Sequence, residues 1–586
     1  MCKNRPLRFI VYILFFCFFS ILMLNGCTIK PNKNEFITKE DLSEEISDIK
    51  TRNLQKLCKV WGYTKYTHPV FLLGQKDWDE ELLNLIPIIS SANSEEKANA
   101  ILYDWFISLG EINYGTTSRL VEWKYVKEED ILIQADTSWI KDEAYLGKEL
   151  SSALSALGEI PAVSRSKAPV FFDSFPEAAL SLSNFKNEKI YDDMDYSDTN
   201  YRLLGLFRFW NAVEYYFPYK DIMDYDWNEL LIEFIPEMLK GTDKQSYELT
   251  LAAIGAKLND AHVYFTDNTF LRNQFGFYSA PVSITKAEGH FAVLNVYKAY
   301  QDLCPLKPGD ILLQLNGIDI KDKAEEIKKY KSYTEDTKLL ATIAPYILRS
   351  HEKTMEVTVL RDREELTLTV EGTDIYLHPS MEFTKSYEIL ENNIGLINPA
   401  ILEKGEIHQI MAVLADTNGL IVDLRQYPSD FLTYSLGEYF IDRRMPFVLA
   451  TQPSKAVPGT FIYSLPLYSG RVDRSSGFYY ENKVVLLMSE NTWSQPEFTI
   501  MSLRNGPNVT VMGENSIGAD GNVTDLPLPG GNHVLFTGLG VYTPDGGQTQ
   551  RTGLSPDIYV ERTIEGIKEG RDEFIEAAIQ YILDNK

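Results

Sequence analysis

The stretch VVLLMSENTWSQPEFTIMSLRNGPNVTV, residues 484–511, decides the fold of this chain. Its first five residues are apolar and partly β-branched, which predicts a buried strand, and a polar turn follows at 489–493. Residues 496–504 are typical of a helix, with a proline in the first turn and a Gly-Pro pair behind it, and residues 508–512 predict a second strand. A strand, a helix and a strand in this order form a βαβ unit, and its crossover implies a parallel, buried sheet.

Ser494 stands where the predicted helix begins, and it has two interpretations. As an N-cap, its hydroxyl accepts hydrogen bonds from the amides of the first turn. As a nucleophile, it lies over free helix amides whose partial positive charge suits a developing oxyanion. Because Pro496 has no N–H, the amide of Gln495 is the expected local donor. The serine alone does not decide between the two.

Several short motifs accompany this serine. Glu497 follows it by three residues, and further marks are GE at 513–514, GADG at 518–521, YTPDG at 542–546 and GLSPDI at 553–558. Together they resemble the C-terminal processing (tail-specific) and tricorn-core serine peptidases, over roughly residues 191 to 586. The resemblance implies a mixed-sheet α/β core of the ClpP/crotonase type that hydrolyses a protein or peptide substrate through an acyl-enzyme.

Composition excludes several function classes. The 586 residues suggest several domains, and a formal net charge of −26 argues against a nucleic-acid partner, since phosphate binding needs a basic face. The mature part has no His-x-x-x-His or Cys-x-x-Cys spacing, and no glycine-rich phosphate loop. We therefore expect neither a metal nor another cofactor.

The N-terminus carries an export pattern. In residues 1–27, basic residues precede a short apolar run that ends at LNGC, which resembles a bacterial lipoprotein signal with Cys27 as the lipidated residue. The polar segment 28–50 is then a tether, and the chain is expected on the exported side of the cell envelope, held to a membrane by its lipid. The other mature cysteines, Cys58 and Cys304, lie in different predicted domains, which disfavours a disulfide framework.

Residues 54–110 and 203–259 match without gaps at a constant offset of 149 residues, which indicates a duplication. The identical pairs are Leu54/Leu203, Leu57/Leu206, Trp61/Trp210, Tyr66/Tyr215, Pro69/Pro218, Asp77/Asp226, Trp78/Trp227, Glu80/Glu229, Leu82/Leu231, Ile86/Ile235, Pro87/Pro236 and Leu109/Leu258. Their apolar residues at helical spacing predict packed helices. The copies differ at His262, which is matched by Asn113 in the first copy. In the peptidases that the chain resembles, a histidine in this context is the general base.

These features divide the chain into six segments. After the signal and tether come a first helical repeat with a mixed segment (51–190), a second repeat carrying the histidine (191–270), a PDZ-like domain (271–372) and the α/β catalytic domain (373–586). In the PDZ-like segment, LKPGDILLQLNG at 306–317 resembles PDZ domains, and the runs 355–360 and 366–370 predict a hairpin. Capture of a peptide end and a purely structural spacer are equally open for this domain.

The catalytic domain departs from its relatives at the predicted oxyanion hole. Related peptidases carry a glycine pair after the strand at 420–424, and this chain has Ser429 and Asp430 there. Either backbone amide is a candidate oxyanion donor beside Gln495, since an amide works whatever its side chain.

The proton-transfer groups differ as well. A Ser-Lys type would place a lysine about 25 residues after the serine, and Ala519 stands there. The histidine branch places a serine before the histidine and an acid near the last motif, and here these are Ala261 and Gln550. We therefore assign Ser494 and His262 as the reacting pair, with Asp260 and Gln550 as candidates for orienting the ring.

Three functions compete at this point. The first is a lipid-anchored serine endopeptidase acting on exported proteins or peptides. The second is an inactive peptidase-like scaffold that binds peptides, which the altered motifs favour. The third is a hydrolase of esters or small peptides. The sequence leaves the oligomeric state open.

Overall fold

The computed structural model describes residues 39–115, 125–161, 163–175, 180–335, 338–374, 384–473 and 478–584. By its contacts the chain divides into a unit of residues 1–47 and a unit of residues 48–586. Cys27 and the signal-like segment lie outside the described residues. Residues 39–50, which the sequence predicts as part of a polar tether, belong to a helix. Among the described residues, no helix has the length and apolar character needed to cross a membrane.

The N-terminal half is mostly helical. The first copy holds α1 (Lys39–Thr67), α2 (Pro69–Leu72), α3 (Trp78–Ser90) and α4 (Glu95–Ser108). The connecting segment holds β1 (Ile131–Ile133), α5 (Glu143–Leu146), α6 (Lys148–Ser155), β2 (Phe171–Phe175) and β3 (Leu180–Asn184). The second copy holds α7 (Thr199–Tyr216), α8 (Trp227–Lys240) and α9 (Lys244–Gly255), followed by β4 (Tyr264–Phe265) and α10 (Thr269–Phe275).

Equivalent residues of the two copies make equivalent contacts. The indole N–H of Trp61 donates to the carbonyl of Trp78 at 2.8 Å, and that of Trp210 donates to the carbonyl of Trp227 at 2.7 Å. All four tryptophans are buried, which confirms that they belong to the core. The shared sequence therefore encodes one helix-pair geometry twice.

The copies also contact each other in a reciprocal way. Lys59 of the first copy donates to Asn228 of the second at 3.0 Å, and their equivalents, Arg208 and Asp79, form an ion pair at 2.6 Å. The rings of Tyr66 and its equivalent Tyr215 meet edge to face, with centroids 5.5 Å apart. Contacts that cross in both directions are the pattern of a two-fold symmetric pair.

A closed group of buried charges lies at this junction. Lys65 Nζ lies 2.6 Å from Glu188 Oε1, while Arg208 lies 3.2 Å from Glu188 and 2.6 Å from Asp79. These four side chains are 0–1 % exposed. Two cations balance two anions, so each charge has a partner in the low-dielectric interior.

The PDZ-like domain follows. Its elements are β5 (Tyr278–Ser279), β6 (Val282–Ala287), β7 (His290–Val296), β8 (Ile311–Leu315), β9 (Ile318–Asp319), α11 (Ile320–Lys328), α12 (Leu339–Ile347), β10 (Arg349–Ser350), β11 (Thr354–Arg361) and β12 (Glu364–Glu371). The main sheet has the order β12-β11-β8-β7-β6. The predicted hairpin is confirmed, since β11 and β12 pair in antiparallel register along their whole length. The Asn-Gly pair turns β8 into β9 with positive φ at both residues, as a tight hairpin turn requires.

The catalytic domain completes the chain. It comprises β13 (Tyr387–Leu390), β14 (Ile394–Ile397), α13 (Ile407–Val413), β15 (Gly419–Asp423), α14 (Thr433–Phe440), β16 (Met445–Pro453), β17 (Phe461–Tyr463), β18 (Leu467–Ser469), β19 (Val484–Met488), α15 (Gln495–Leu503), β20 (Val509–Gly513), β21 (Val523–Pro527), β22 (His533–Thr537), β23 (Gly540–Tyr542), β24 (Ile558–Tyr559), α16 (Ile564–Glu569) and α17 (Glu573–Asp584). The C-terminal segment forms two helices, because Gly570 takes a left-handed conformation that ends α16.

The predicted βαβ unit forms the centre of this domain. The main sheet has the order β13-β14-β15-β19-β20-β24, and β19 pairs in parallel with both β15 and β20. Every residue of β15 and β19 is buried, because helices cover both faces of the sheet. Leu486 packs on the side of α15, whereas Leu487 packs on the side of α17. The predicted mixed-sheet α/β core is therefore confirmed.

Candidate active site

Ser494 lies in the turn between β19 and α15, with φ 63° and ψ −123°. An ordinary N-cap residue has an extended backbone, and a residue with a Cβ rarely adopts this positive φ. Thr492 closes the turn, since its hydroxyl accepts from the Ser489 amide at 2.9 Å and donates to the Leu424 carbonyl at 3.0 Å. Sharp strand-to-helix turns of this kind present nucleophilic serines in hydrolases. The backbone therefore favours the nucleophile interpretation over the N-cap.

The carboxylate of Glu497 stabilises this turn through hydrogen bonds. It accepts hydrogen bonds from the amides of Ser494 and Ala519, both at 3.1 Å, from the amide of Gly518 at 2.8 Å and from the hydroxyl of Ser516. Burial raises the pKa of Glu497, and these hydrogen bonds oppose the rise. Glu497 thus fixes the backbone of Ser494 to the loop that follows β20.

His262 comes from the second helical copy and lies against Trp493, which precedes the serine in the chain. Its side chain is 3 % exposed, and its ring centroid is 5.3 Å from that of Trp493, the residue before Ser494. Strand β4, directly after the histidine, pairs with β22 and fastens this loop to the catalytic domain. Within the described residues no hydrogen bond joins Ser494 to His262. In structures without substrate such pairs are often loose and tighten in the complex.

Thr537 connects the histidine ring to Asp260. His262 Nδ1 lies 2.8 Å from Thr537 Oγ1, and Thr537 Oγ1 donates to Asp260 Oδ1 at 3.0 Å. The direct distance from Nδ1 to Asp260 Oδ1 is 3.7 Å. Because the only hydroxyl proton of Thr537 goes to the carboxylate, the hydroxyl oxygen accepts from Nδ1–H. The free lone pair of the ring is then on Nε2.

Further hydrogen bonds hold Asp260 in place. It accepts from the Thr537 amide at 2.8 Å, from the His262 amide at 3.0 Å and from Gln550 Nε2 at 3.1 Å. Its own amide donates to Ser332 Oγ, in the segment before α12, at 3.1 Å. The structure thus brings Asp260 and Gln550 into one network with His262, with Gln550 binding Asp260 and not the ring.

Electrostatics favour a neutral histidine. Burial lowers the pKa of His262 below its usual 6.5, and the charge of Asp260 opposes this decrease. The ring is therefore uncharged at neutral pH, which is the state that a general base needs.

The three oxyanion candidates differ in availability. The amide of Gln495, at the first position of α15, has no hydrogen-bond acceptor among the described residues. Ser429 is a correction to the sequence prediction: its amide donates to the Pro399 carbonyl at 3.0 Å, so it offers no free donor. The amide of Asp430 is unpartnered within the described chain, and the Asp430 carbonyl accepts from the Gln495 side chain at 2.7 Å. Gln495 and Asp430 are thus adjacent, each with a backbone amide to offer.

No lysine takes the place expected of a Ser-Lys peptidase in the described residues after Ser494. Ala519 is fully buried, and its carbonyl accepts from the Ser494 amide at 2.8 Å. Lys568 pairs at 2.8 Å with Asp362 of the PDZ-like domain, and Lys586 lies outside the described residues. Among the described residues there is also no group of acidic, histidine or cysteine side chains fit to hold a metal ion.

A cavity of about 320 Å³ opens beside the serine. Its walls include Ser494 and Gln495 and a set of apolar side chains, most of them aromatic or branched. One wall comes from Leu180, in the segment between the two helical copies. Sequence reasoning predicted neither this wall nor Thr537 and Trp493. Thr537 lies 275 residues from His262, and nothing in a single sequence pairs residues at that distance.

Comparisons with known proteins agree with this architecture. Residues 393–560 match the model of peptidase family S41, and residues 278–387 match a PDZ domain. A search of curated proteins returned no match.

Two solved structures of CPAF share this fold. Mature CPAF superposes with a TM-score of 0.51 at 13 % sequence identity, over 66 % of this chain and 98 % of CPAF. CPAF complexed with lactacystin gives a TM-score of 0.50 at 12 % identity, over 66 % and 99 % of the two chains. The photosystem II D1 C-terminal processing protease gives a TM-score of 0.37 at 17 % identity, over 63 % and 96 %. Residues 278–387 therefore match a PDZ domain and residues 393–560 match peptidase family S41, and the chain is a serine-type peptidase.

Proposed function

We propose that this chain is a lipid-anchored serine endopeptidase that hydrolyses exported proteins or peptides through a Ser494–His262 acyl-enzyme mechanism. The observation that carries the proposal is the strained backbone of Ser494, at φ 63°, directly after Trp493, whose ring packs on the buried, neutral His262. A strain of this kind persists only where the surroundings enforce it, and it gathers at catalytic residues.

The chemistry follows from these positions. Ser494 Oγ attacks the substrate carbonyl while His262 Nε2 takes the hydroxyl proton. The oxyanion that forms accepts a hydrogen bond from the amide of Gln495, and the amide of Asp430 is the second donor. His262 then gives its proton to the leaving amine, and a water molecule hydrolyses the ester on Ser494 by the same route.

Thr537 and Asp260 orient the ring in this proposal. When His262 becomes a cation, its Nδ1–H donates to Thr537, and the negative charge of Asp260 lies 3.7 Å away. A charge-assisted hydrogen-bond chain of this type strengthens in the transition state, where the ring is charged. Asp260 therefore supplies the stabilising charge of a triad through a hydroxyl instead of by direct contact.

A fluorophosphonate probe tests the proposal, because it reacts only with an activated serine. We expect the purified mature chain to be labelled, Ser494→Ala to remain unlabelled and His262→Ala to label at least a hundredfold more slowly. Ser555→Ala, which alters an exposed serine of the same domain, is the matched control and should label like wild type. An unlabelled wild type would leave the inactive peptide-binding scaffold as the better account.

The anchor and the location form the second half of the proposal. The basic and apolar N-terminus with its LNGC end supports export, and lipidation at Cys27 would then hold the enzyme on the outer side of a membrane of the cell envelope. In detergent phase separation we expect the full chain in the detergent phase and Cys27→Ala in the aqueous phase. Cys58→Ala, which changes a buried cysteine, is the control. A wild-type chain found in the aqueous phase contradicts the anchor.

A further inference from the structure

The cavity beside Ser494 has partly exposed aromatic side chains in its wall. Three aromatic side chains at its mouth are partly exposed: Tyr427 by 48 %, Phe431 by 49 % and Tyr434 by 40 %. Phe431 packs against both Tyr434 and Phe498, with ring centroids 5.8 and 6.0 Å apart. Exposed aromatic rings that cluster around one opening mark a binding surface.

The position of the cavity indicates which side of the scissile bond it binds. The leaving amine must lie next to His262, which gives it a proton. The cavity is lined by Ser494 and Gln495, and His262 is not among its lining residues. It therefore lies on the acyl side, where the side chain of the residue that supplies the attacked carbonyl is placed.

The size and charge of the cavity restrict that side chain further. A volume of 320 Å³ corresponds to about ten water molecules, which is room for a large aromatic side chain. Among the described residues that line the cavity there is no lysine or arginine, and the one carboxyl group there, that of Asp520, is buried. An acidic side chain would meet this carboxyl and find no cation.

A hairpin from outside the S41 domain completes the wall. Strands β2 and β3 pair in antiparallel register, and Ser181 donates its amide to Gln452 of β16 at 2.9 Å. This contact places Leu180 against the cavity. The segment between the helical copies thus takes part in the site.

We infer that this cavity is the specificity pocket for the acyl-side residue and that it selects a large aromatic side chain, with Leu180 and Phe431 as specificity-determining residues. This inference rests on the proposed function, since it needs Ser494 to be acylated. Burying a ring against these walls removes apolar surface from water, and a pocket of this kind discriminates by contact area.

The test uses amino-acid esters, in which the variable residue is always on the acyl side. We expect kcat/KM for phenylalanine and tyrosine esters to exceed that for the alanine ester by roughly a hundredfold, because burying a large apolar side chain contributes about 1.5–3 kcal/mol and each 1.36 kcal/mol is about tenfold. Phe431→Ala, at an exposed ring, should reduce the ratio at least tenfold, and Leu180→Trp should reduce it by filling the pocket. Phe478→Ala, an exposed aromatic residue outside this cavity, is the control and should leave the ratio unchanged.

Fluorophosphonate labelling separates a failure of the pocket assignment from a failure of the proposed function. If wild type is labelled but prefers alanine, lysine or glutamate esters, the pocket assignment is overturned while the nucleophile stands. The same holds if Phe431→Ala and Leu180→Trp change the ratio no more than Phe478→Ala does. If wild type is not labelled, the proposed function itself fails.

Discussion

Replacing Thr537 with valine removes the hydroxyl that connects His262 to Asp260. Valine keeps the shape of threonine, and the backbone amide at 537 still donates to Asp260. The change therefore removes the hydrogen bond of 2.8 Å from the ring and the bond of 3.0 Å to the carboxylate, with little effect on packing.

The magnitude follows from the state of the ring during catalysis. A hydrogen bond to a charged group contributes about 1.5–3 kcal/mol, and the ring is charged in the transition state but not before it. At about 1.4 kcal/mol for each factor of ten, kcat should fall roughly 10- to 150-fold, with KM nearly unchanged. Thr537→Ser keeps the hydroxyl and should stay within about threefold of wild type, since only a methyl group is lost.

The assay is steady-state hydrolysis of a phenylalanine ester over a range of pH, with thermal unfolding of each variant measured in parallel. A merely structural role of Thr537 would lower the melting temperature and leave kcat of the folded enzyme intact. The reasoning is refuted if Thr537→Val keeps more than half of the wild-type kcat, or if Thr537→Ser is as impaired as Thr537→Val.

Other perturbations have equally definite outcomes. Since burial lowers the pKa of His262, the acid limb of the kcat/KM profile should lie below pH 6.5, and a limb above that value would contradict a buried base. Burial and a neighbouring carboxylate raise the pKa of Glu490 to about 7. The folded protein therefore favours the neutral side chain, and its free energy of unfolding falls as pH rises through about 7. Glu490→Gln should remove about 3 kcal/mol of this fall between pH 5 and 8, measured by denaturant unfolding. Arg208→Met leaves two buried carboxylates short of a partner and should cost about 3–5 kcal/mol of unfolding free energy, against about 1 kcal/mol or less for Arg52→Met at an exposed pair. Gln550→Glu should lower activity at neutral pH and not improve it, because two carboxylates about 3 Å apart cannot both ionise, and a faster variant would contradict this.

The sequence predicted the catalytic sheet well because its strands are buried on both faces. Continuous apolar runs such as Val484–Met488 have only one stable environment, and the strand and its parallel partners lie where the pattern places them. The Asn-Gly turn and the hairpin of the PDZ-like domain were predictable for a similar reason, since local backbone chemistry decides them.

The finer parts of the site depend on contacts that local patterns do not encode. Ser429 looked like an oxyanion donor from its position in the chain, but its amide is used by Pro399. The sequence left Asp260 and Gln550 as candidates for orienting His262, because Ala261 and Gln550 replace the serine and the acid of the related peptidases. The structure supplies the hydroxyl from Thr537 on strand β22 and the charge from Asp260, two residues before the histidine.

The duplication explains why His262 has no counterpart in the first copy. Reciprocal contacts such as Lys59 to Asn228 and Arg208 to Asp79 make the two copies a symmetric pair, so both are needed to bury the shared core. The loop that ends the second copy continues into β4, which pairs with the catalytic domain, and this contact places His262 beside Trp493. Asn113, the equivalent residue of the first copy, accepts a hydrogen bond from the amide of Gly115 in its own turn. Packing therefore constrains both copies alike, whereas the proton transfer proposed for His262 constrains only the loop that reaches Trp493.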